Sequence, residues 1–354
     1  MTGSANVHGR RLRAQLLAGP PARSPLAVAE RLLAIQGQDP RGARLAIRAR
    51  TVGVEAADID RELTQERSLV ITTLNRGTLH LVRSEDYPLL QSLTTPPLMT
   101  ASATRLAQDG LDPDTTARAV NWIDRSIAED GPLTRVQLRD RLARAGIPHL
   151  EHSLAHLVFR ASIEGRIVRG PMVGRQHAFA RVSDWLAPAP FPPRDAALAE
   201  LARRYLAGHG PASDRDLARW AGLPLRDARA GLRAIAGELR ELPGGLADLA
   251  RRARAATLPP PRLLGAFEPL LLGWASRADV LGADAARVIS GGVFRNFALV
   301  GGRGVAVWRL AGSGGAVEIE PFADLAAEDA VALARDGEAV KRFLMSTGAT
   351  DASL

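Results

Sequence analysis

The 354-residue sequence predicts an α+β protein of three tandem winged-helix motifs followed by a small C-terminal β-barrel domain, and two observations predict it. One is an internal repeat. Gly131-Pro132-Leu133-Thr134-Arg135-Val136-Gln137-Leu138 and Gly210-Pro211-Ala212-Ser213-Asp214-Arg215-Asp216-Leu217 share Gly-Pro, a hydroxyl residue placed to cap a helix, and a leucine at the same offset. The other is a change of texture beyond Pro261, from helical periodicity to short apolar runs separated by glycines. The chain is longer than one ordinary core requires, and its 46% hydrophobic content supplies material for several.

The first unit is expected over residues 1–112. It holds an early helix at 10–17 and a second over 24–35, with Ser24 as N-cap, Pro25 at the first helical position and Leu26, Ala29 and Leu33 at helical spacing. Pro40 stops that helix; a segment at 59–63 follows, and the extended runs 69–74 and 76–82 supply wing strands. The second unit, 113–186, has a helix at 119–127, the capped helix after Gly131-Pro132, a break at Gly146-Ile147-Pro148, and a helix whose core stripe is Leu154, Leu157, Val158 and Ile163. Strands at 166–169 and 177–180 around the tip Gly170-Pro171-Met172-Val173-Gly174 complete its wing, with Arg169 and Arg175 flanking the tip. A proline-rich linker at 187–193 precedes the third unit, 194–258, which repeats the helix, capped helix, break and helix order. Runs at 288–294, 297–303 and 304–310 and a closing helix at 326–345 read as a β-barrel or sheet over 262–346, with 347–354 a tail.

A formal charge of +8 arises from 46 basic against 38 acidic residues, and Lys341 is the only lysine. Such an arginine bias is what a GC-rich genome produces, so placement carries more weight than number. Clustered arginine suits bidentate phosphate recognition, although a solvated, salt-bridged surface accounts for the total equally well. No run of ~18 apolar residues and no apolar signal core are present, which points to a cytoplasmic protein and away from membranes. With no cysteine there is neither a disulfide framework nor a thiolate metal site. His149, His152 and His156 recur at helical offsets beside Glu151, a set better suited to a polar helix face than to zinc, and no metal or cofactor is expected.

The candidate catalytic residues are Gln36 and Gln38, two primary amides two residues apart at the predicted helix end. Arg41, Arg44 and Arg48 follow at offsets of three and four, so on a restarted helix they share one face and can hold the amides near a phosphate backbone. On spacing alone a glutamine pair at a helix end is more often ordinary solvated capping. Asp39 has two readings, a general base or a cap for the helix after Pro40.

Gln36-Gly37-Gln38, Arg76-Gly77-Thr78-Leu79-His80, the Gly-Pro repeats and Leu263-Leu264-Gly265-Ala266-Phe267-Glu268-Pro269-Leu270-Leu271-Leu272-Gly273-Trp274, in that order, resemble the winged-helix DNA glycosylases of the AlkZ type. The resemblance runs from about residue 8 to 345. It implies a C-shaped monomer around duplex DNA, a bacterial enzyme of alkylation repair and antibiotic self-resistance, and a catalytic Gln-x-Gln matched by Gln36 and Gln38. It also favours phosphate or strand contacts from Arg76 and His80. Gly37 stands where the family has a bulky apolar residue, and Glu268 where it more often has aspartate.

Two amides suffice for one class of substrate. Cleavage between sugar and base passes through an oxocarbenium-like state, and most glycosidases supply an acid to the leaving group. A guanine alkylated on its major-groove ring nitrogen is already cationic and departs without one, which leaves the enzyme to hold a water at the anomeric carbon. The resemblance thus implies hydrolysis of alkylated purines in duplex DNA. A non-catalytic winged-helix regulator is the alternative, though regulators are normally dimeric. A protein that sequesters an antibiotic would need an apolar, aromatic pocket, and aromatic residues make up only 4% of the chain.

Overall fold

Helix starts are where local chemistry dictates them. In the computed structural model, which describes residues 2–147, 151–174, 176–251, 258–312 and 315–346, both Gly-Pro repeats open onto capped helices. Thr134 Oγ1 accepts from Gln137 N at 3.3 Å, and the Gln137 side chain returns the bond to Thr134 N at 2.8 Å. Ser213 and Asp216 repeat the capping box ahead of the helix Asp214–Ala221, while Leu138 and Leu217 are buried at matching positions. The repeat extends to the backbone. Leu133 forms an antiparallel bridge with Phe179, and Ala212 forms one with Ala247, so each Gly-Pro segment pairs with the second strand of the hairpin that follows it.

The chain divides into two compact units, Arg61–Arg194 and the combination of Met1–Asp60 with Asp195–Leu354. In the first, the helices Pro113–Asp130, Arg135–Arg144 and Glu151–Ile163 are followed by the hairpin Ile167–Val173 and Gln176–Arg181. An apolar core of Val120, Ile123, Leu138, Leu142, Leu154 and Leu157, with Phe179 from the hairpin, holds them together. The hairpin Leu69–Leu74 and Thr78–Arg83 joins this one edge to edge through Ile71 and Arg169, giving the strand order 78–83, 69–74, 167–173, 176–181. Two expected wings are therefore one antiparallel sheet, which shields the inner edge of each.

In the other unit, helices Arg194–His209, Asp214–Ala221 and Leu225–Ala234 precede the hairpin Leu239–Leu242 and Leu246–Leu249. Beyond Pro261 the strands Arg262–Leu264, Phe297–Val300, Arg303–Leu310 and Val317–Pro321 form a four-stranded antiparallel sheet. Among the described residues its first and last strands do not pair with each other, so of the expected barrel or sheet the structure shows a sheet. Alternation and glycine turns announce strands, but closure depends on a ladder between first and last strands that no local pattern encodes. The helix Ala327–Met345 packs on it as expected, with Leu333, Val340 and Phe343 buried and Gly337 against Val317.

Inside this unit the motif around residue 265 has a structural role. Arg50 and Glu268, both without solvent exposure, form an ion pair. Arg50 also donates Nε to Gln15 O at 2.7 Å, Nη1 to Ala46 O at 2.8 Å and Nη2 to Gln15 Oε1 at 3.0 Å. Glu268 caps the turn Pro269–Leu272 by accepting from Leu270 N at 3.2 Å. Close by, the helix Pro40–Arg48 crosses the 265–266 backbone: a Cβ on Gly42 would overlap the Ala266 carbonyl oxygen, and one on Gly265 would lie 2.8 Å from Gly42 Cα.

Two stability outcomes follow from these contacts. Glu268→Gln leaves the Arg50 charge buried without its counter-ion and is expected to cost about 3–5 kcal/mol in urea denaturation. Gly42→Ala is expected to cost about 1–3 kcal/mol or more by forcing the helix off the 265–266 backbone, whereas Gly237→Ala, with nothing within 4 Å of its new methyl, is the neutral control. Equal midpoints for Gly42→Ala and Gly237→Ala would show that the crossing is not tight.

Candidate active site

The helix Pro25–Leu32 begins as its spacing predicts, with Ser24 Oγ accepting from Ala27 N at 3.2 Å and Pro25 in the first turn. It stops three residues short of Ile35. Leu33 takes φ 63° and ψ −43°, and Ala34 N donates to Leu32 O at 2.7 Å, a positive-φ γ-turn of the rare, strained kind. Leu33 is fully buried, so packing of its side chain holds the turn. The chain is then extended at Ile35–Gln36 and bends through Gln38. The glutamines thus lie on a short extended segment between two helices and not on a frayed helix end, a correction that arises because a γ-turn sustained by distant packing leaves no local signal.

Gln36 is 7% exposed, Gly37 is buried and Gln38 is exposed. One amide is therefore held inside the protein while its neighbour meets solvent. Asp39 has β-region backbone angles and its Oδ1 accepts from Arg41 N at 2.9 Å, which makes it the N-cap of Pro40–Arg48. Of the two readings of Asp39, capping is the one the geometry occupies.

Arg41, Arg44 and Arg48 do not act as one basic face. Arg44 donates Nε to Asp60 Oδ1 at 3.0 Å and Nη1 to Pro40 O at 3.1 Å, and Arg48 forms a fork on Asp336 with bonds of 3.2 and 2.6 Å. Arg44 and Arg48 are thus each paired with a carboxylate, and Arg41 is half-buried beside the cap.

His80 is enclosed by the protein. It is 2% exposed on the strand Thr78–Arg83, opposite Thr72, and its Nδ1–H donates to Thr78 O at 3.0 Å, which leaves Nε2 as the acceptor. Burial, and secondarily the charge of Arg76, hold its pKa down to about 3. Arg76 itself is half-buried in the tight turn Asn75–Gly77 with φ 57°, a left-handed conformation that tips the hairpin. Arg169 lies over the Phe179 ring at 4.5 Å, and burial with the neighbouring Arg135 lowers its pKa to about 10, still fully charged at neutral pH. Arg175 and His149 lie outside the described residues. His156 pairs with Asp109 at 2.5 Å, and among the described residues no group of three His, Asp or Glu side chains has metal-site geometry.

Sequence reasoning missed Arg135, Arg219 and Arg277. Arg135 stands at the first position of the Thr134-capped helix and faces Arg169. In the other unit, Arg277 donates Nε to Leu271 O at 2.8 Å and faces exposed Arg219, which together with burial lowers its pKa. Two pairs of like-charged arginines at partly exposed sites are arrangements that an anion relieves. The only signal in the sequence is the place of Arg135 directly after a helix cap, and nothing local marks the other two.

The sequence profile described as DNA glycosylase AlkZ-like matches residues 29–343. The chain belongs to the AlkZ-like DNA glycosylases, so it is an enzyme of DNA repair whose substrate is DNA. Its structure is similar to that of the Streptomyces sahachiroi DNA glycosylase AlkZ, with 24% identity, 96% of each chain covered and a TM-score of 0.80, which establishes a shared fold. Comparison with curated proteins gives no match. Family membership overturns the regulator and the antibiotic-sequestering alternatives. No helix among the described residues is long and apolar enough to cross a membrane.

The pKa of His80 makes a pH prediction. The folded state refuses a proton that the unfolded chain binds below about pH 6.5, so the stability from neutral His80 is complete above that pH and is lost as pH falls toward about 3. Between about pH 6.5 and 5, where carboxylates are largely silent, the unfolding free energy should fall by up to about 1.4 kcal/mol per pH unit. His80→Gln should flatten this slope, and a parent protein with no slope there would place the imidazole in water.

Proposed function

We propose that the protein is a monomeric glycosylase that hydrolyses the N-glycosidic bond of cationic, alkylated purines in duplex DNA, with Gln36 and Gln38 positioning the attacking water. The observation that carries this proposal is the pairing of a buried and an exposed amide on one short segment, fixed on one side by the Leu33 γ-turn and on the other by the Asp39 cap. An amide accepts a hydrogen bond from water through its oxygen and donates through its NH2, but it takes no proton. Chemistry built on amides therefore requires a leaving group that needs no protonation, and a ring-alkylated purine is one. The nucleophile is water, the bond broken is that between the anomeric carbon and the base nitrogen, and the released proton passes to solvent.

Each unit holds a helix and hairpin group read as a winged helix, 113–186 in one and 194–258 in the other, and each supplies its own duplex contacts: the Arg135–Arg169 pair and Arg76 in the first, the Arg219–Arg277 pair and Arg41 in the second. No step calls for a metal or cofactor. Lys341, the only side-chain amine of the chain, lies on the helix Ala327–Met345 next to Glu338, so a Schiff base with the sugar is not part of the scheme. A cytoplasmic enzyme with this activity protects a cell that makes or meets a DNA-alkylating natural product.

Single-turnover cleavage of a duplex containing N7-methylguanine tests the site. Gln36→Ala and Gln38→Ala should each slow base release on the order of a hundredfold, and the double variant should lose much less than the product because the pair shares one water. Gln38→Asp should keep part of the rate. A double variant as fast as the parent would sink the assignment. For binding, Arg135→Ala with Arg169→Ala should weaken affinity for undamaged duplex and reduce the slope of log K against log salt by about 2; an unchanged slope would remove that pair from the DNA contacts.

A further inference from the structure

The backbone that crosses the helix Pro40–Arg48 at Gly265 and Ala266 continues into Phe267, which has φ 54°. A bulky L-residue is rarely left-handed, and where the conformation persists its neighbours enforce it. Both neighbours do so here. Ala266 N donates to Asn296 Oδ1 at 2.8 Å, and Glu268 is buried in its ion pair with Arg50. Phe267 is half-buried, while Leu263, Leu264, Ala266 and Glu268 around it are buried.

A second aromatic ring backs it. Phe294 lies 5.3 Å from Phe267 between centroids, tilted by 37°, on a hairpin whose tip is Gly291–Gly292 and whose Val293 is 61% exposed. Arg277 sits 5.5 Å above the Phe294 ring. The position of this stack is set by the helix crossing. Gly42, against the Ala266 carbonyl, is in the first turn of the helix that Asp39 caps, one residue after Gln38. Phe267 therefore follows directly on the backbone that packs against the first turn of the helix next after both amides. A glycine or asparagine would take this φ at little cost, so retention of an aromatic ring calls for a ligand that uses its face.

We propose that Phe267, braced by Phe294, is an aromatic wedge that enters the base stack beside the damaged nucleotide and lays its face on the cationic base. Apolar side chains that enter base steps replace part of the lost stacking, and an aromatic face attracts a cation through its quadrupole. The wedge would thus select the charged base that amide chemistry can release. It rests on the assignment of cationic purines as substrates.

Its test compares binding to two duplexes, one with 2′-fluoro-N7-methylguanine, which is cationic and resists cleavage, the other with 7-deaza-7-methylguanine, its neutral isostere. The parent should prefer the cationic duplex on the order of tenfold. Phe267→Leu should reduce that preference to within twofold, and Phe267→Tyr should keep it. Leucine is accommodated in left-handed backbone at Leu16 and Leu33 of this same chain, and Phe267→Gly, which removes the strain altogether, should match Phe267→Leu. Should either variant fail to fold, the other reads the same ratio. A preference that persists in Phe267→Leu or Phe267→Gly, or a Phe267→Tyr variant that loses it, would overturn the wedge. Cleavage of ordinary N7-methylguanine duplex by the parent is measured in parallel: failure there refutes the substrate assignment, whereas cleavage with an unaltered charge preference in the variants refutes the wedge alone.

Discussion

Arg50 is the residue on which the larger unit is organised, because a guanidinium with no exposure to water is tolerated only if its N–H groups find acceptors. Four of the five do so, on Gln15, Ala46 and Glu268. Each acceptor belongs to a different part of the chain, so satisfying one cation fixes the end of the first helix, the helix Pro40–Arg48 and the turn at Pro269 together. Gln15 extends the constraint by donating Nε2 to Gly208 O at 2.8 Å, and a Cβ on Gly208 would overlap the Arg31 carbonyl oxygen. The segment Gln36–Gln38 is thus held from both ends, since Arg31 lies on the helix before it and Ala46 on the helix after it.

Glu268 closes that network, which explains why a carboxylate stands in the 263–274 motif far along the chain from the glutamines. It neutralises Arg50 and caps Leu270 N, two tasks within one helical turn. Just beyond it, Trp274 Nε1 donates to His209 O at 2.9 Å, Tyr205 OH donates to Gly273 O at 2.7 Å, and His209 stacks on Tyr205 at 4.8 Å. These aromatic groups sit where the helix Arg194–His209 meets the motif. Much of the small aromatic complement of the chain is therefore spent on fastening the scaffold, and the half-exposed pair Phe267 and Phe294 stands apart from it.

What could be read from the sequence was what short spacings encode. The caps at Thr134 and Ser213 involve partners three residues on, and the leucines at 138 and 217 follow those partners directly, so both were legible, as was the hairpin after the first of them; the hairpin Leu239–Leu242 and Leu246–Leu249 was not. The carboxylate partners of Arg44 and Arg48 were not legible, because Asp60 and Asp336 lie 16 and 288 residues away. The joining of two hairpins through Ile71 and Arg169 was equally invisible, since strand alternation specifies a face and not a neighbour. Gln36 and Gln38 were identified as residues, while their extended, strained setting was not, because the γ-turn at Leu33 exists only where the core encloses that side chain.

Strain marks the same places from a different direction. Among the described residues five that are not glycine have positive φ, and three of them, Leu33, Arg76 and Phe267, fall in or beside the motifs that the sequence singled out. Each such residue costs on the order of 1–3 kcal/mol, so a fold under selection for stability alone would replace it with glycine or asparagine. The proposed amide chemistry would account for that cost. A carboxylate or imidazole can compensate for imperfect placement by moving a proton, whereas an amide contributes only position and dipole, and its effect on a bound water falls steeply with misplacement. A glycosylase working as proposed would therefore depend on rigidity: a buried cation to lock the helices, the γ-turn at Leu33 ahead of the glutamines, and the enforced backbone at Phe267.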